Sequence, residues 1–168
     1  MPAVRAPENP IIHPGGVHPS RPDFEVACVI NAGVARLGEE VILLLRVVER
    51  PRNEDNRVIL VPVYDALNAQ VVIKKFPYNA PGYDFTDPRV IGAPDGLYLT
   101  ALSHLRLARS KDGIHFQIDP IPAFFPATTY EAYGIEDPRI TQIDDTFYIS
   151  YVAVSSLGIV TALASTTD

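Results

Sequence analysis

The sequence has 168 residues, enough to bury one hydrophobic core, and its 47% hydrophobic and 20% charged residues argue against intrinsic disorder. The formal net charge of −6 argues against nucleic acid or an anionic membrane surface as a partner, because both attract clustered Lys and Arg. The 16 prolines indicate many short connections, and the single cysteine, Cys28, excludes an intrachain disulfide.

The N-terminal residues 1–23 are predicted to form an extended segment ahead of a domain at 24–168. Residues 1–21 are rich in proline and lack the continuous apolar core of a signal peptide, so a cytoplasmic protein is the default expectation. No apolar run approaches the roughly 20 residues that a membrane span needs. We therefore expect no membrane partner.

From Phe24 onward the chain is predicted to consist of strands and turns, with no helix. Its apolar runs are rich in β-branched and aromatic residues and are separated by Gly, Pro, Asn and Asp. The predicted strands cover residues 25–30, 41–48, 57–63, 70–75, 97–102, 105–109, 115–118, 147–154 and 159–164.

One pattern recurs along these strands. Asp137-Pro138-Arg139-Ile140, followed by a turn and the strand at 146–150, aligns without a gap on Asp87-Pro88-Arg89-Val90 and residues 96–100, which lie 50 residues earlier. A fainter copy has Asn31 in place of the aspartate, and a further echo relates residues 107–112 to 163–168 at an offset of 56. Such a repeat of short strands is typical of β-propeller blades.

This repeat length predicts an all-β fold in which the chain supplies about the first three blades of a propeller. Closed propellers have roughly four to eight blades. We therefore expect residues 24–168 to be a partial propeller catalytic domain, incomplete at the C-terminus. It would be completed by a missing C-terminal half or by association as a homo-oligomer. Alone, it is expected to be catalytically silent.

Matching positions of successive blades line the central channel, which makes three repeat-equivalent residues candidates for one site: Asn31, Asp87 and Asp137. A recurring Asp-Pro-Arg is also explained by a turn in which the aspartate accepts backbone N–H bonds, and this interpretation is favoured for Asp87. For Asp137 a functional role is favoured, because Glu136 adds a second carboxylate. Arg46 interrupts an apolar strand, where a charge is disfavoured unless it is paired or faces a wet channel.

The sequence lacks the residue patterns that several kinds of functional site require. The four histidines are scattered and there are no paired cysteines, so a transition-metal site has no ligand set. There is neither a glycine-rich phosphate loop nor a Gly-x-Ser-x-Gly turn. Carboxylates and arginines remain, and we expect no metal and no cofactor.

The carboxylate motif lies in a wider set of motifs that runs from Asn9 to Asp168. The most specific is Gly134-Ile135-Glu136-Asp137-Pro138-Arg139-Ile140-Thr141. The others are Asn9-Pro10-Ile11, Asn31-Ala32-Gly33-Val34, Leu44-Leu45-Arg46-Val47, Ala108-Arg109-Ser110-Lys111-Asp112-Gly113-Ile114-His115-Phe116 and Tyr148-Ile149-Ser150-Tyr151. Together they resemble glycoside hydrolase family 130, which holds inverting β-mannoside phosphorylases and β-1,2-mannosidases on a five-bladed propeller.

The resemblance implies that this chain is the N-terminal portion of a five-bladed propeller that binds a β-mannoside oligosaccharide. By their place in the motifs, Asp137 matches the catalytic acid, while Asn31 and Arg46 match residues that hold the mannosyl unit. The further candidates for substrate binding are Glu136, Arg106 and Asp87. The long segment 51–105 is similar to that of the branches acting on β-1,2-mannosides.

Inverting cleavage needs an acid that protonates the leaving oxygen, and either a carboxylate that activates water or a phosphate that attacks directly. Asp137 supplies the first group, and the sequence does not identify the second. We expect hydrolysis of β-1,2-mannosides, slightly ahead of phosphorolysis with inorganic phosphate as co-substrate and mannose 1-phosphate as product. The third interpretation is a non-catalytic sugar-binding propeller fragment that keeps Asn31, Arg46 and Asp137.

Overall fold

The computed structural model describes residues 2–78 and 80–168 and confirms an all-β fold. Its strands are β1 (Phe24–Leu37), β2 (Glu40–Pro51), β3 (Val58–Asp65), β4 (Gln70–Pro77), β5 (Val90–Ala93), β6 (Gly96–Leu99), β7 (Leu102–Ser110), β8 (Gln117–Ile118), β9 (Gly134–Ile143), β10 (Thr146–Ser155) and β11 (Gly158–Thr166). Two single-turn 3₁₀ helices, Pro14–Gly16 and Thr129–Glu131, are the only helical segments in the described ranges.

Seven of these eleven strands form two antiparallel sheets, which one backbone pairing joins into a single seven-stranded sheet. The first sheet has the order β1-β2-β7-β8, and the second has the order β9-β10-β11. A single parallel pairing between Ser103 and Gly134 joins them. We refer to these two sheets as the first and second blades, because each is a short antiparallel sheet of the kind that propellers repeat.

The prediction of about three blades is not confirmed, because the two described blades do not include the Asp87 copy of the repeat. That copy forms the hairpin β5–β6, which is a separate two-stranded sheet, as is the hairpin β3–β4. The physical reason is that the repeated residues encode a turn and a hairpin, and neither requires further strands beside it. The fainter copy at Asn31, in contrast, does lie in a blade.

The two hairpins of the segment between β2 and β7 pack against the start of the second blade. Tyr98 on β6 contacts Tyr133 immediately before β9, with ring centroids 6.0 Å apart, and both rings are buried. The Tyr64 backbone N–H donates to the carbonyl of Ala132 over 2.8 Å. This segment therefore supports the backbone that leads into Glu136 and Asp137.

The N-terminal segment covers the outer face of the first blade. Val17 is buried against Leu43, Leu45 and Val47, which lie on one face of β2. Those side chains alternate with Leu44 and Arg46, which face the second blade, because successive residues of a strand point to opposite faces. No helix in the described part of the chain is long and apolar enough to cross a membrane.

Candidate active site

The site begins with an unusual backbone conformation at two equivalent positions. Asn31 on β1 and Asp137 on β9 both have φ of +49°, in the left-handed region. Asn and Asp tolerate this region better than most residues, yet such conformations still cost free energy and gather at functional sites. Both residues also lie where the strand register shifts, between Ile30 and Gly33 on β1 and opposite Ser150–Val152 on β9. This shared irregularity supports the faint repeat around Asn31, and the two side chains hydrogen-bond to each other.

Arg46 joins these residues into one cluster. Its Nη1 donates to Asp137 Oδ1 over 2.8 Å, and its Nη2 lies 2.6 Å from Glu136 Oε1. Asn31 Nδ2 donates to the same Asp137 Oδ1 over 2.9 Å. The charge that interrupts the apolar strand β2 is therefore paired with two carboxylates, which is one of the two environments that the sequence predicted for it.

Burial and charge give the two carboxylates different proton affinities. For Asp137, burial raises the pKa, but the hydrogen bonds from Asn31 and Arg46 outweigh it and hold the pKa below its usual range. For Glu136, burial raises the pKa and the Asp137 charge adds to it, so the attraction of Arg46 only partly offsets the increase. Asp137 is therefore ionised in the free chain, while Glu136 is the carboxylate that protonates more readily.

Asp137 remains accessible although it is well anchored. Its side chain is 34% exposed, against 20% for Glu136 and 16% for Arg46. Both anchoring hydrogen bonds use Oδ1, so Oδ2 is the oxygen that can meet a substrate hydroxyl or a leaving oxygen. The arrangement can bind polar groups of a sugar and exchange a proton with one of them.

The structure brings together four of the six predicted residues: Asn31, Arg46, Glu136 and Asp137. It also adds Ser103, which the sequence analysis did not select. The Ser103 hydroxyl accepts a hydrogen bond from Arg46 Nε over 3.2 Å. The sequence of β7 contains no signal for it, because nothing singles out Ser103 among the other polar residues of this strand, which are His104, Arg106, Arg109 and Ser110.

Arg106 does not join the cluster, which corrects one prediction. In the pairing of β2 with β7, Arg46 lies opposite Leu105, so Arg106 points to the other face of the sheet. There it is fully buried, donates from Nη1 to the carbonyl of His18 over 2.7 Å, and lies beside Glu49. It fixes the N-terminal segment to the first blade instead of facing a substrate.

Asp87 also lies outside the cluster. It forms the kind of turn that the sequence analysis favoured for it, in which the aspartate accepts a backbone N–H bond. Its carboxylate accepts from the backbone N–H of Arg89 over 2.9 Å and from that guanidinium over 2.8 Å. These bonds lower the pKa of Asp87 to about 2. The residue lines a different cleft of about 390 Å³, between β2 and the hairpins. The place of Asp87 in the repeat would put it in the central channel only if the hairpin β5–β6 were part of a blade, and this hairpin is a separate sheet.

Two glycines allow the site strands to approach closely. A Cβ at Gly33 would lie 3.0 Å from the carbonyl oxygen of Pro138, and a Cβ at Gly134 would lie 2.5 Å from the backbone nitrogen of Ser103. Real Cβ atoms do not make contacts as short as the second one. The junction between the blades, and with it the distance from Arg46 to the carboxylates, therefore depends on Gly134.

Gly134→Ala is expected to destabilise the chain much more than Gly158→Ala. The two glycines have nearly the same φ, +121° and +117°, but a Cβ at Gly158 meets nothing within 4 Å. Gly158→Ala thus measures backbone strain alone, about 1–3 kcal/mol, while Gly134→Ala adds an overpacking cost of at least about 2 kcal/mol. Urea unfolding of both variants checks this. Equal losses would mean that the blades do not meet closely at Ser103.

No group of three or more His, Cys, Asp or Glu side chains that could hold a metal ion occurs within residues 2–78 and 80–168. In the cluster, the two carboxylates are paired with Arg46, and Asp137 also accepts a hydrogen bond from Asn31, so the described contacts of these groups involve no metal.

Comparison with known sequences gives a consistent result. Residues 97–168 match the family model of glycoside hydrolase family 130, described as beta-1,4-mannooligosaccharide phosphorylase. A β-1,2-mannobiose phosphorylase from Listeria innocua is 45% identical over 100% of this chain and 48% of its own length. A 1,2-β-oligomannan phosphorylase from Thermoanaerobacter is 41% identical over 34% of this chain and 20% of its own length. The chain thus spans about half the length of the first relative.

Comparison with solved structures agrees with the sequence matches. The Listeria innocua β-1,2-mannobiose phosphorylase, solved with β-1,2-mannobiose, superposes with a TM-score of 0.93 at 46% identity, covering 98% of this chain and 48% of that one. A structure from Parabacteroides distasonis, at a TM-score of 0.60 and 21% identity over 98% of this chain and 38% of that one, is alike in fold alone. From the family model, the whole-chain identity and the superposition, the chain belongs to glycoside hydrolase family 130.

Proposed function

We propose that this chain forms the sugar-binding and proton-donating part of an inverting β-mannoside phosphorylase that acts on β-1,2-mannosides. The observation that carries the proposal is the cluster in which Asn31 and Arg46 hold Asp137, with Glu136 sharing the arginine. Phosphorolysis replaces hydrolysis as the main proposal, because the relative that matches the whole chain is named a β-1,2-mannobiose phosphorylase.

In the proposed reaction, Arg46 and Asn31 orient the mannosyl unit through its hydroxyl groups, and Asp137 delivers a proton toward the glycosidic oxygen. A phosphate oxygen forms a bond to the anomeric carbon from the opposite side as the glycosidic bond breaks. The leaving alcohol receives the proton from Asp137, directly or through a substrate hydroxyl. The proton that HPO₄²⁻ brings restores the acid, so the proton balance closes.

The low pKa of Asp137 in the free chain has a consequence for this step. Its two hydrogen bonds favour the ionised form, so the residue must gain a proton before it can donate one. Contacts that the sugar makes with Asn31 and Arg46 would weaken those bonds and raise the pKa. The rate should accordingly fall as the pH rises above the pKa of Asp137 in the sugar complex.

We further propose that the complete enzyme is a five-bladed propeller and that residues 24–168 supply part of it. The second blade supports this, because Ile159 and Leu163 on β11 are 74% and 66% exposed. A further blade would cover these side chains and pair with the free edge of β11. A C-terminal half of the same protein or other copies of the chain would provide this further blade. Residues 1–23 would remain the extended segment that covers the first blade.

Product analysis tests this function. The chain, alone and with a family-type C-terminal half, is incubated with β-1,2-mannobiose in the presence and absence of phosphate. We expect mannose 1-phosphate only with phosphate and only in the complemented sample. Mannose alone without phosphate would indicate a hydrolase, and sugar binding without either product would indicate a binding module. Turnover by the 18.4 kDa monomer alone would contradict the proposed division of the propeller.

A further inference from the structure

Ser103 occupies a special place where the two blades meet. It lies near the start of β7, is 2% exposed, and pairs with Val48 of β2 on one side and with Gly134 of β9 on the other. It is therefore held by backbone pairing from both blades. The backbones of Ser103 and Gly134 approach so closely that even a Cβ at Gly134 would overlap Ser103, which leaves Ser103 almost no room to shift toward β9.

The hydroxyl of Ser103 completes the set of partners around Arg46. Three nitrogens of the planar guanidinium point in fixed directions, and they meet Asp137, Glu136 and Ser103 respectively. Asp137 and Glu136 are carboxylates in the proposed sugar site, so sugar binding would disturb their contacts with Arg46. Ser103 is the neutral partner that lies deepest, so its contact is the one that can persist through a reaction.

We propose that Ser103 is a positioning residue that fixes the orientation of Arg46 between the two carboxylates. The kinetic part of this inference rests on the proposed function, whereas the structural part does not. Without the hydroxyl, the Nε of the largely buried Arg46 side chain would lose its partner, and the guanidinium could rotate away from Asp137 and Glu136. The same hydroxyl helps to lower the pKa of Glu136, which burial otherwise raises.

The direct test is NMR spectroscopy of the chain itself. In Ser103→Ala, we expect the Arg46 Nε–H to exchange with solvent at least about tenfold faster and the carboxyl carbon of Glu136 to titrate at higher pH than in the wild type. Ser103→Cys keeps the packing volume but is a weak acceptor, so it should give the same two changes. Ser110→Ala is the matched control, since Ser110 is buried on the same strand but bonds only to the Asp112 turn.

A kinetic test follows in the complemented enzyme. Both Ser103 variants should raise KM and lower kcat, with kcat/KM reduced about tenfold or more, because Arg46 contacts the sugar before and during the reaction. Unchanged Arg46 exchange and Glu136 titration in folded variants would overturn the inference, and so would failure of both variants to fold. If the wild type neither binds nor cleaves a mannoside while the NMR changes occur, the proposed function fails and the positioning role stands.

Discussion

Asp137→Asn is expected to abolish turnover in the complete enzyme, with kcat reduced by about 10³-fold or more, while sugar affinity stays within about tenfold. The amide keeps the shape of the carboxylate and can still accept hydrogen bonds from Asn31 and Arg46. It has no proton to give to the leaving oxygen, so the loss falls on the transition state. Steady-state kinetics of mannose 1-phosphate release and calorimetric titration with β-1,2-mannobiose measure the two effects.

Asp87→Asn provides the matched control for this experiment. The residue occupies the same place in the repeated Asp-Pro-Arg motif, but it bonds to Arg89 on an exposed turn away from the cluster. Its variant should keep nearly full activity. Wild-type rates in Asp137→Asn, or a comparable loss in both variants, would remove Asp137 from the proposed mechanism.

Arg46→Ala should have the second largest effect, on both KM and kcat. The substitution removes contacts to the sugar and leaves Glu136 and Asp137 as two neighbouring carboxylates without their shared cation. Breaking a fully buried ion pair costs about 3–5 kcal/mol, and because these side chains are partly exposed the cost here should lie below that range but above that of a surface pair. Activity and urea unfolding together separate the loss of sugar contacts from the loss of stability.

The stability loss of Arg46→Ala should depend on pH in a defined direction. Removing the guanidinium raises the pKa of both carboxylates, and the pKa of Glu136 is already raised in the wild type. A carboxyl group whose pKa is higher in the folded state favours folding below its unfolded-state pKa, and that stability is lost as the pH rises through the folded-state pKa. The difference in unfolding free energy between variant and wild type should therefore be larger at pH 7 than at pH 4.

Arg50→Ala is the control for the same strand. Arg50 pairs with Glu25 over 2.6 Å, but both side chains are exposed, so its loss should cost less than about 1 kcal/mol and leave activity intact. If Arg46→Ala fails to fold at any pH, Arg46 is a structural ion-pair residue and the sugar-contact role is wrong.

The sequence was sufficient for the all-β fold and for most of the cluster. Arg46 in an apolar strand indicated either a paired charge or a wet channel, and Glu136 with Asp137 stood out as adjacent carboxylates. The sequence did not show that these residues pair, because Arg46 and Asp137 are 91 positions apart. The faint copy around Asn31 was informative although its residue type differs from Asp137, because the positive φ and the shift in strand register occur at both positions. A motif that encodes a local backbone geometry can thus be recognised before its tertiary contacts are known.

The differences between the predicted and the observed cluster concern tertiary pairing, which local sequence patterns do not determine. Arg106 lies on the face opposite Arg46 because of which residues pair between β2 and β7, and a shift of one residue would have reversed this. Asp87 repeats the turn chemistry of Asp137, but its hairpin gains no further strands and so lies outside the blades. Ser103 depends on a contact between residues 57 positions apart, which local patterns do not encode.

Mapping the sugar onto the chain by NMR tests the central claim most directly. Titration of the labelled chain with β-1,2-mannobiose should first shift the side-chain amide of Asn31, the Nε–H of Arg46 and the backbone amide of Asp137. These three residues form the proposed mannosyl site. Shifts confined to the cleft lined by Asp87, with the three signals unchanged at saturation, would contradict the account.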